Sequence, residues 1–458
     1  MLHKIKHGFS RLRQKRDLTS GSVAKNIWIL AIPLVLGDFL QTCSNLIDMF
    51  WVGKLGPDAL AAVAMSGSIL MVVATFLMGI ATGTTALVAR YVGAKNDREA
   101  ARFAAQSIVM GLAASFVLAI FGFLFSHQLL IFMGAKDTVL IYGTDYLRII
   151  FLGSLTMFFF FIFFAILRGA GDAVTPAVVL MFCVVIGATL EPFLVFGIGP
   201  FPRLGVAGAA LAEICAQMVG VIIGTEILLR GRSHLHLHLH DFKINFAYMW
   251  RIIRIGFPTS LQMGLRSLMG VVMMLIVASF GTGAIAGYGV VLRLSMILML
   301  PGFSLANSAA TLVGQNLGAG EPERAEKSAW LTASYYAVFM AVVGILGFVF
   351  GPQVIHFFNS DPQVVAVGTA FIRITIFSYL FVPYGIVLGR SMAGAGDAVS
   401  PLIITFIGLW LVQIPLALIL ARSIGLNGVW LSFLIANSIN GVITMGWFKV
   451  GRWKHKIV

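Results

Sequence analysis

An eight-residue segment occurs twice in the chain and divides the sequence into two related halves. GAGDAVTP, which begins at Gly169, returns as GAGDAVSP from Gly394, 225 positions further along. Solenoid repeats are only about 20 to 50 residues long, so an offset of this size predicts a duplicated domain instead. The same offset relates other residues of the two halves: Pro33 to Pro258, Gly56 to Gly281, and Arg148 to Arg373.

The composition shows where such a duplicated domain resides. Of 458 residues, 59% are hydrophobic and only 11% are charged, which is too little charge to cover a soluble surface of this size. We therefore predict a polytopic membrane protein. The net charge of +14 does not indicate a nucleic-acid partner, because the basic residues lie in short segments between apolar runs. The three cysteines all lie in apolar runs and predict no disulfide framework.

Twelve apolar runs are long enough to cross a membrane, which takes about 20 residues each. They predict an all-α polytopic fold of twelve transmembrane helices in two six-helix bundles. Because each bundle has an even number of spans, the two repeats run parallel, with a substrate path between them. The runs are 27–51, 59–84, 103–126, 139–165, 174–198 and 205–229, then 252–277, 283–309, 328–350, 364–389, 400–422 and 427–448.

Basic residues concentrate in alternate loops, which sets the expected topology by the positive-inside rule. We predict a basic cytoplasmic arm at 1–26, an N-terminal bundle at 27–229, a cytoplasmic linker at 230–250, a C-terminal bundle at 251–448 and a basic cytoplasmic tail at 449–458. The arm has no short apolar segment followed by a cleavage site, so we interpret it as a retained segment. The expected location is the plasma (inner) membrane, with both termini in the cytoplasm.

The linker contains four histidines that alternate with leucine: His234, His236, His238 and His240. On an extended strand this alternation places the imidazoles on one face, where they can bind a transition metal. The segment is short, however, and brings no paired carboxylate or cysteine set. We therefore predict a solvated linker without a metal.

Nothing in the sequence indicates covalent chemistry. There is no Gly-Lys-Ser/Thr phosphate loop, and no convincing nucleophile, base or metal set, so we expect neither an enzyme nor an organic cofactor. The duplicated segments are interpreted as tight helix-to-helix turns, in which glycine adopts unusual φ angles and proline starts the next helix. The residues assigned to these turns are Gly169, Gly171, Asp172, Gly394, Gly396 and Asp397.

Ionisable residues inside the spans are functional candidates, because each is costly in hydrocarbon. Carboxylates at these depths are confined to the first half, whereas the second half has only arginines. Arg148 recurs as Arg373, which favours a shared structural role for that pair. The candidates are Asp38, Asp48, Asp145, Arg148, Glu191, Glu213 and Glu226 in the first half, and Arg266, Arg293 and Arg373 in the second.

Four segments together resemble the multidrug and toxic compound extrusion (MATE) family over nearly the whole length. They are NLIDMFWVG from Asn45, RGAGD from Arg168 with Thr175-Pro176, Glu191-Pro192 with Phe196-Gly197, and LGVAGAA from Leu204. The resemblance implies a V-shaped pair of bundles that opens alternately to either side. It also implies a secondary antiporter that exports organic cations or amphiphilic drugs in exchange for H⁺ or Na⁺. Its expected partners are that small molecule and membrane lipid, without nucleic acid, and it would function as a monomer.

The chain departs from the family pattern in its second half. Arg266 stands where the family often carries a carboxylate, and Val382-Pro383-Tyr384 lacks an acid. We therefore predict cation coupling in the first bundle, by three carboxylates that fall at similar depths in the outer half of the membrane: Asp48, Glu191 and Glu213. These carboxylates would bind either H⁺ or Na⁺.

Asp38, Arg266 and Arg293 are assigned to the substrate cleft or its gating. Asp38 lies about 15 Å from Asp48 along the first helix, so it belongs to a separate environment. For Arg266, pairing with a first-half acid and simple snorkelling to the membrane surface both stay open.

A lipid-linked precursor flippase of the same broad superfamily is the alternative function. Such a protein would line its cleft with many cationic residues to hold a pyrophosphate. Only Arg266 and Arg293 offer that chemistry here. The carboxylates of the first half therefore favour the antiporter.

Overall fold

The protein was analysed as a computed structural model that describes residues 17–230 and 235–456. Within these ranges the chain is helical and contains no strand. The α-helices are α1 Val23–Gly53, α2 Pro57–Gly93, α3 Asp97–Phe132, α4 Asp137–Leu152, α5 Ser154–Gly169, α6 Val174–Phe196, α7 Val206–Leu229, α8 Phe246–Ala278, α9 Thr282–Gly318, α10 Pro322–Phe358, α11 Pro362–Thr375, α12 Val382–Gly394, α13 Val399–Phe406, α14 Ile414–Ile424 and α15 Leu426–Val450.

The helices of the described chain account for the predicted spans. Eleven helical segments are long and apolar enough to cross a membrane, and α4 with α5 would make a twelfth as one bent span. Two of the eleven are composite, Pro362–Leu380 and Val399–Ile424. The prediction of an all-α polytopic membrane protein is therefore confirmed.

Three spans are interrupted, which the apolar pattern did not predict. The chain bends by 54° between α4 and α5, at Gly153. The tenth span passes through a 3₁₀ turn at Ile376–Leu380. The eleventh contains a π-helical segment, Ile407–Gln413, just before Pro415. Proline has no N–H with which to bond the preceding turn, so the backbone there departs from the regular α-helical ladder.

The described chain forms two compact units, whose boundaries differ from those expected. One unit contains Ile32–Gly256, and the other contains Leu18–Ala31 together with the chain from Phe257 onward. The start of α1 thus belongs to the second unit, and the start of α8 belongs to the first. The two crossing points are themselves related by the 225-residue repeat, and each precedes a proline of a repeat pair by two residues.

Local contacts explain both assignments. In the second unit, Asn26 Nδ2 donates to the carbonyl oxygens of Leu18 and Ser20, each at 3.0 Å, and Arg324 donates to that of Ser20 at 2.8 Å. In the first unit, a Cβ on Gly256 would lie 2.7 Å from the carbonyl oxygen of Gly79, so α8 starts in close backbone contact with α2. The first turns of α1 and α8 are therefore fixed by neighbours outside the predicted bundles.

The duplicated turns perform the same packing task in each unit. Gly171 and Gly396 adopt φ angles of 86° and 93°, which favour glycine. A Cβ on Gly169 would lie 2.9 Å from the carbonyl oxygen of Thr85, and a Cβ on Gly394 would lie 2.5 Å from that of Ala310. Thr85 and Ala310 are separated by the repeat offset, so the two contacts are equivalent.

The aspartates of these turns start the helices that follow. Asp172 Oδ1 accepts the backbone N–H groups of Val174 and Thr175 at 3.1 and 2.9 Å. Asp397 Oδ1 accepts the N–H of Ser400 at 3.4 Å. These bonds satisfy donors that the first helical turn leaves unpaired. The geometry gives both aspartates a structural task.

The repeat also extends to a pair of arginines. Arg148 lies over the ring of Phe123, with the guanidinium carbon 5.2 Å from the ring centroid. Arg373 lies over Phe348 at 5.7 Å. Arg148 and Arg373 are separated by the repeat offset, and so are Phe123 and Phe348. The arginines thus make the same cation–π contact in their own units, which agrees with the shared structural role expected for them.

Candidate functional site

The carboxyl groups of Asp48 and Glu191 meet inside the first unit. Asp48 lies on α1 and Glu191 on α6, directly before Pro192, and their carboxyl groups lie close enough to interact. Glu191 is only 5% exposed, and its Oε1 has no hydrogen-bond partner in the described chain. An ionised carboxylate can only accept hydrogen bonds, so this contact requires a shared proton or a cation between the two groups.

Two more polar side chains complete the cluster. Glu213 on α7 interacts electrostatically with Asp48. The buried phenol of Tyr146, on α4, interacts with all three carboxyl groups. The predicted trio of Asp48, Glu191 and Glu213 is therefore brought together, with Tyr146 as a fourth member. We call these four residues the carboxyl cluster.

A series of polar contacts connects this cluster to the bend in the fourth span. Gln217 Nε2 donates to Glu213 Oε1 at 3.0 Å. The hydroxyl of Thr156 lies 3.0 Å from Gln217 Oε1 and 2.8 Å from the carbonyl oxygen of Gly153. Its single proton serves one of these two acceptors at a time. Glu213 is thereby linked by contiguous polar atoms to the residue at which α4 and α5 diverge.

Glycines bring the helices of the cluster close together. A Cβ on Gly208 would lie 2.5 Å from the carbonyl oxygen of Leu194, so α6 and α7 pack backbone to backbone. A Cβ on Gly153 would lie 2.3 Å from Cδ1 of Ile214, the residue after Glu213. Without these glycines the helices that carry Glu191, Glu213 and Tyr146 could not approach as they do.

Apolar side chains pack around one side of the cluster. Tyr146 belongs to a buried apolar group that also includes Val52, Ile150, Val195 and Ala209. Such surroundings shield Tyr146 and Glu191 from water and strengthen the electrostatic interactions there, whereas Asp48 is half-buried and Glu213 is exposed. An ion binds in apolar surroundings only where groups of opposite charge balance its own charge.

The equivalent place in the second unit is entirely apolar. Met273 and Phe371 correspond to Asp48 and Tyr146 at the 225-residue offset. After the fifth span the offset shortens, because Gly197–Leu204 has no full counterpart before α15. Gly205 and Gly425, with φ angles of 58° and 64°, then correspond.

At the offset that relates Gly205 to Gly425, Phe433 takes the place of Glu213. Ile414 takes the place of Glu191, because it directly precedes Pro415 as Glu191 directly precedes Pro192. Met273, Phe371, Ile414 and Phe433 all belong to one apolar cluster. The second unit therefore has no carboxyl cluster at the matching position.

Sequence reasoning missed Tyr146, although a signal was available. Its repeat partner is Phe371, so the two halves differ there by one hydroxyl. Asp48, Glu191 and Glu213 are polar residues whose counterparts in the second half are apolar. The same comparison of the two halves, applied to tyrosines, would have identified Tyr146.

The residues assigned to the substrate cleft or its gating are not members of the carboxyl cluster. Asp38 is half-buried on α1 and is attracted to Arg168 on α5, which also donates to the carbonyl oxygen of Phe164 at 3.2 Å. Arg266 on α8 and Arg293 on α9 have exposed side chains and belong to the second unit. Their roles in substrate passage stay predictions.

The linker differs from expectation in one respect. Leu235 and Leu237 are buried, and His236, His238 and His240 are exposed, so the alternation separates two faces as far as His238. Leu239, which begins a 3₁₀ turn, is exposed. His234 lies outside the described residues. A carboxylate was not expected here, yet the buried Asp241 has imidazole nitrogens of two of these histidines within 3.7 Å. It was overlooked because it follows the alternating segment and does not belong to the pattern.

A family profile described as MatE matches residues 33–193 and 258–419. The two matched segments start at the repeat-related prolines and together cover most of the chain. The chain belongs to the MATE family. It is therefore a multi-pass membrane transporter, as the resemblance in the sequence implied.

Relatives of this MATE-family chain match it from end to end. A probable multidrug resistance protein, YoeA of Bacillus subtilis, is 28% identical over 95% of each chain. The probable multidrug resistance protein NorM of Thermotoga maritima is 27% identical over 95% of this chain and 94% of its own. A protein of Shewanella oneidensis named FAD transporter is 26% identical over 94% and 95%.

Solved structures show the same fold. A MOP superfamily transporter from Pyrococcus furiosus superposes with a TM-score of 0.88 at 24% identity, covering 97% of this chain and 99% of its own. A MATE transporter in a bent conformation gives 0.88 at 25% identity over 94% and 96%. The MATE fold is thus shared over almost the whole length.

Proposed function

We propose that this MATE-family chain is a secondary antiporter of the plasma membrane that exports organic cations or amphiphilic drugs in exchange for H⁺ or Na⁺. The observation that carries the proposal is the contact between Asp48 and Glu191. The buried carboxyl group of Glu191 and the half-buried one of Asp48 form a site whose stability depends on an added positive charge. The names of the multidrug resistance relatives support the class of cargo.

The ion controls the packing of the first unit in this proposal. With a proton or Na⁺ bound, Asp48 and Glu191 attract each other and hold α1 against α6. When the ion leaves, two like charges face each other in apolar surroundings, and the contact must open or take up water. Ion release is thereby coupled to movement of the helices that carry the two residues.

The remaining cluster residues tune this coupling. Glu213, held by Gln217, offers a third carboxylate that favours cation entry. The phenol of Tyr146 offers a hydroxyl donor to a carboxylate and an oxygen ligand to a cation. Thr156 connects Gly153 to Gln217, the partner of Glu213. A change in the charge of Glu213 therefore also affects α4 and α5, which meet at Gly153.

Transport by purified protein in liposomes, under separate proton and sodium gradients, tests the proposal. We expect one of the two gradients to drive export of a fluorescent organic cation. Asp48→Asn and Glu191→Gln should uncouple export from that gradient while inserting normally. Cation export that neither gradient drives would overturn the antiporter.

A lipid-linked precursor flippase is the second candidate, favoured only by Arg266 and Arg293, whose exposed guanidinium groups suit an anionic cargo. One of the similar proteins is named FAD transporter, so the names of the relatives are not limited to cationic cargo. Liposomes loaded with a lipid pyrophosphate distinguish the two candidates, because the flippase would translocate it without an ion gradient.

A further inference from the structure

The linker histidines form a layer above a buried carboxylate. His236 and His238 are exposed on an extended backbone, His240 is exposed in the 3₁₀ turn Leu239–Phe242, and Leu235 and Leu237 are buried. Asp241 is only 5% exposed. Its Oδ2 accepts the backbone N–H of His238 at 3.0 Å, whereas its Oδ1 has no hydrogen-bond partner in the described chain. A buried carboxylate with an unused oxygen is costly unless a positive charge reaches it.

An imidazole nitrogen approaches each oxygen of this carboxylate. His240 Nε2 lies 3.2 Å from Asp241 Oδ1, and His238 Nδ1 lies 3.7 Å from Oδ2. The rings of His236 and His238 have their centroids 4.5 Å apart. Donor atoms of a tetrahedral site with bonds of about 2.0 Å are separated by roughly 3.3 Å, a spacing that His240 Nε2 and Asp241 Oδ1 already have.

The ring of His236 is oriented by a hydrogen bond, as the rings of metal-binding histidines usually are. Its Nε2 lies 2.7 Å from the carbonyl oxygen of Leu229, to which it can only donate. The lone pair then resides on Nδ1. Histidines that bind metals usually donate their other ring nitrogen to a carbonyl or carboxylate, which fixes the tautomer.

The backbone beneath the histidines is anchored. Gln106 on α3 is buried and donates to the carbonyl oxygens of Asp241 and Lys243 at 2.9 and 2.8 Å. It also accepts the N–H of Asn245 at 3.0 Å. Side chains can therefore close around an ion without reorganising the chain that carries them, which lowers the entropic cost of binding.

From these contacts we propose that His236, His238, His240 and Asp241 form a binding site for a late divalent transition metal ion, with Zn²⁺ as its test ligand. Within residues 17–230 and 235–456 no three such groups already surround a common point. Binding therefore uses rotation of the exposed imidazoles of His238 and His240 towards His236, and such rotation occurs within nanoseconds. Neutral imidazole and carboxylate together suit zinc. The site is separate from the carboxyl cluster and does not depend on the proposed transport activity.

Calorimetric titration of purified protein with ZnCl₂, in a preparation without a polyhistidine tag, tests this site. Competition with a chromophoric chelator measures the affinity independently. We expect one high-affinity ion per chain. The variants His238→Ala and His240→Ala should each weaken Zn²⁺ binding by at least about tenfold, and their combination by more. His236→Gln tests the third imidazole.

His455→Ala is the matched control, since it removes an exposed histidine from the C-terminal tail and should leave the affinity unchanged. Leu239→Ala, which alters an exposed leucine between two of the ligands, is the second control. Monodisperse elution of each variant verifies its fold. Equal Zn²⁺ affinity in wild-type protein and in a variant that lacks His236, His238 and His240 would overturn the proposal, as would no binding by the wild-type protein.

Discussion

Tyr146 and Phe371 occupy the same position in the two repeats and differ by a single hydroxyl group. Tyr146 interacts with three carboxyl groups, whereas Phe371 stacks on Trp430 and Phe433 with ring centroids 4.8 and 5.4 Å away. One fold therefore supports a polar cluster in one unit and an apolar core in the other. The chemistry of this transporter is asymmetric although its architecture is duplicated.

Neutralising either member of the carboxyl pair should abolish ion coupling. Asp48→Asn and Glu191→Gln remove the charge that holds the ion, so gradient-driven export should fall by at least about tenfold with membrane insertion preserved. Asp145→Asn is the control, because Asp145 is an exposed acid on α4. Full coupled transport in both variants would place the site elsewhere, and loss in one variant alone would make the other residue a structural partner.

Removing the hydroxyl of Tyr146 should affect transport more than stability. Phenylalanine fits the matching position in the second unit, so Tyr146→Phe should fold normally. Loss of a polar interaction worth about 1 kcal/mol should raise the ion concentration needed for half-maximal export roughly fivefold. The dependence of export on ion concentration measures this effect. An unchanged dependence would remove Tyr146 from the ion site.

Gly153 should tolerate no larger residue, because its Cβ would overlap Ile214. We expect Gly153→Ala to destabilise the protein by about 1 to 3 kcal/mol, as overpacking does, and to lower its melting temperature in detergent. Gly67→Ala is a matched control, since a Cβ there meets nothing within 4 Å. Ile214→Val introduced with Gly153→Ala should restore part of the loss. No recovery would show that the overlap is not the cause.

The linker should face the cytoplasm, together with both termini. In a chain whose three free cysteines are replaced, Lys243→Cys should react with a membrane-impermeant maleimide only after permeabilisation. Arg203→Cys, in the loop between α6 and α7, should react in intact cells. Both positions are exposed. The reverse pattern would invert the topology.

Arg266 should influence which compounds are exported. Its exposed guanidinium repels cations and attracts anions, so Arg266→Gln should change the relative rates for cationic and anionic substrates. Arg422→Gln, a substitution near the end of α14, serves as the control. Identical export rates for every compound in the Arg266→Gln variant would support a snorkelling arginine instead.

The sequence predicted the repeat, the spans and the three carboxylates, because each leaves a signal in composition or spacing. It did not predict the bend at Gly153 or the π-helical segment before Pro415, since an apolar run has the same appearance whether its helix is straight or broken. The meeting of Asp48 with Glu191 follows from packing between α1 and α6. Depth along a helix predicted their level in the membrane, but not which helices are neighbours.

The segment of α1 before Ile32 completes the second unit, and the segment of α8 before Phe257 completes the first. The first turns of the first helix in each half of the chain therefore belong to the unit that the other half forms. A half-length ancestor of this protein, before gene duplication, would have lacked part of its own fold as a single chain. It would have completed itself by exchanging that segment with an identical copy, as domain-swapped dimers do. Fusion of two such copies would make the exchange intramolecular and would leave the two positions that correspond to the carboxyl cluster free to diverge.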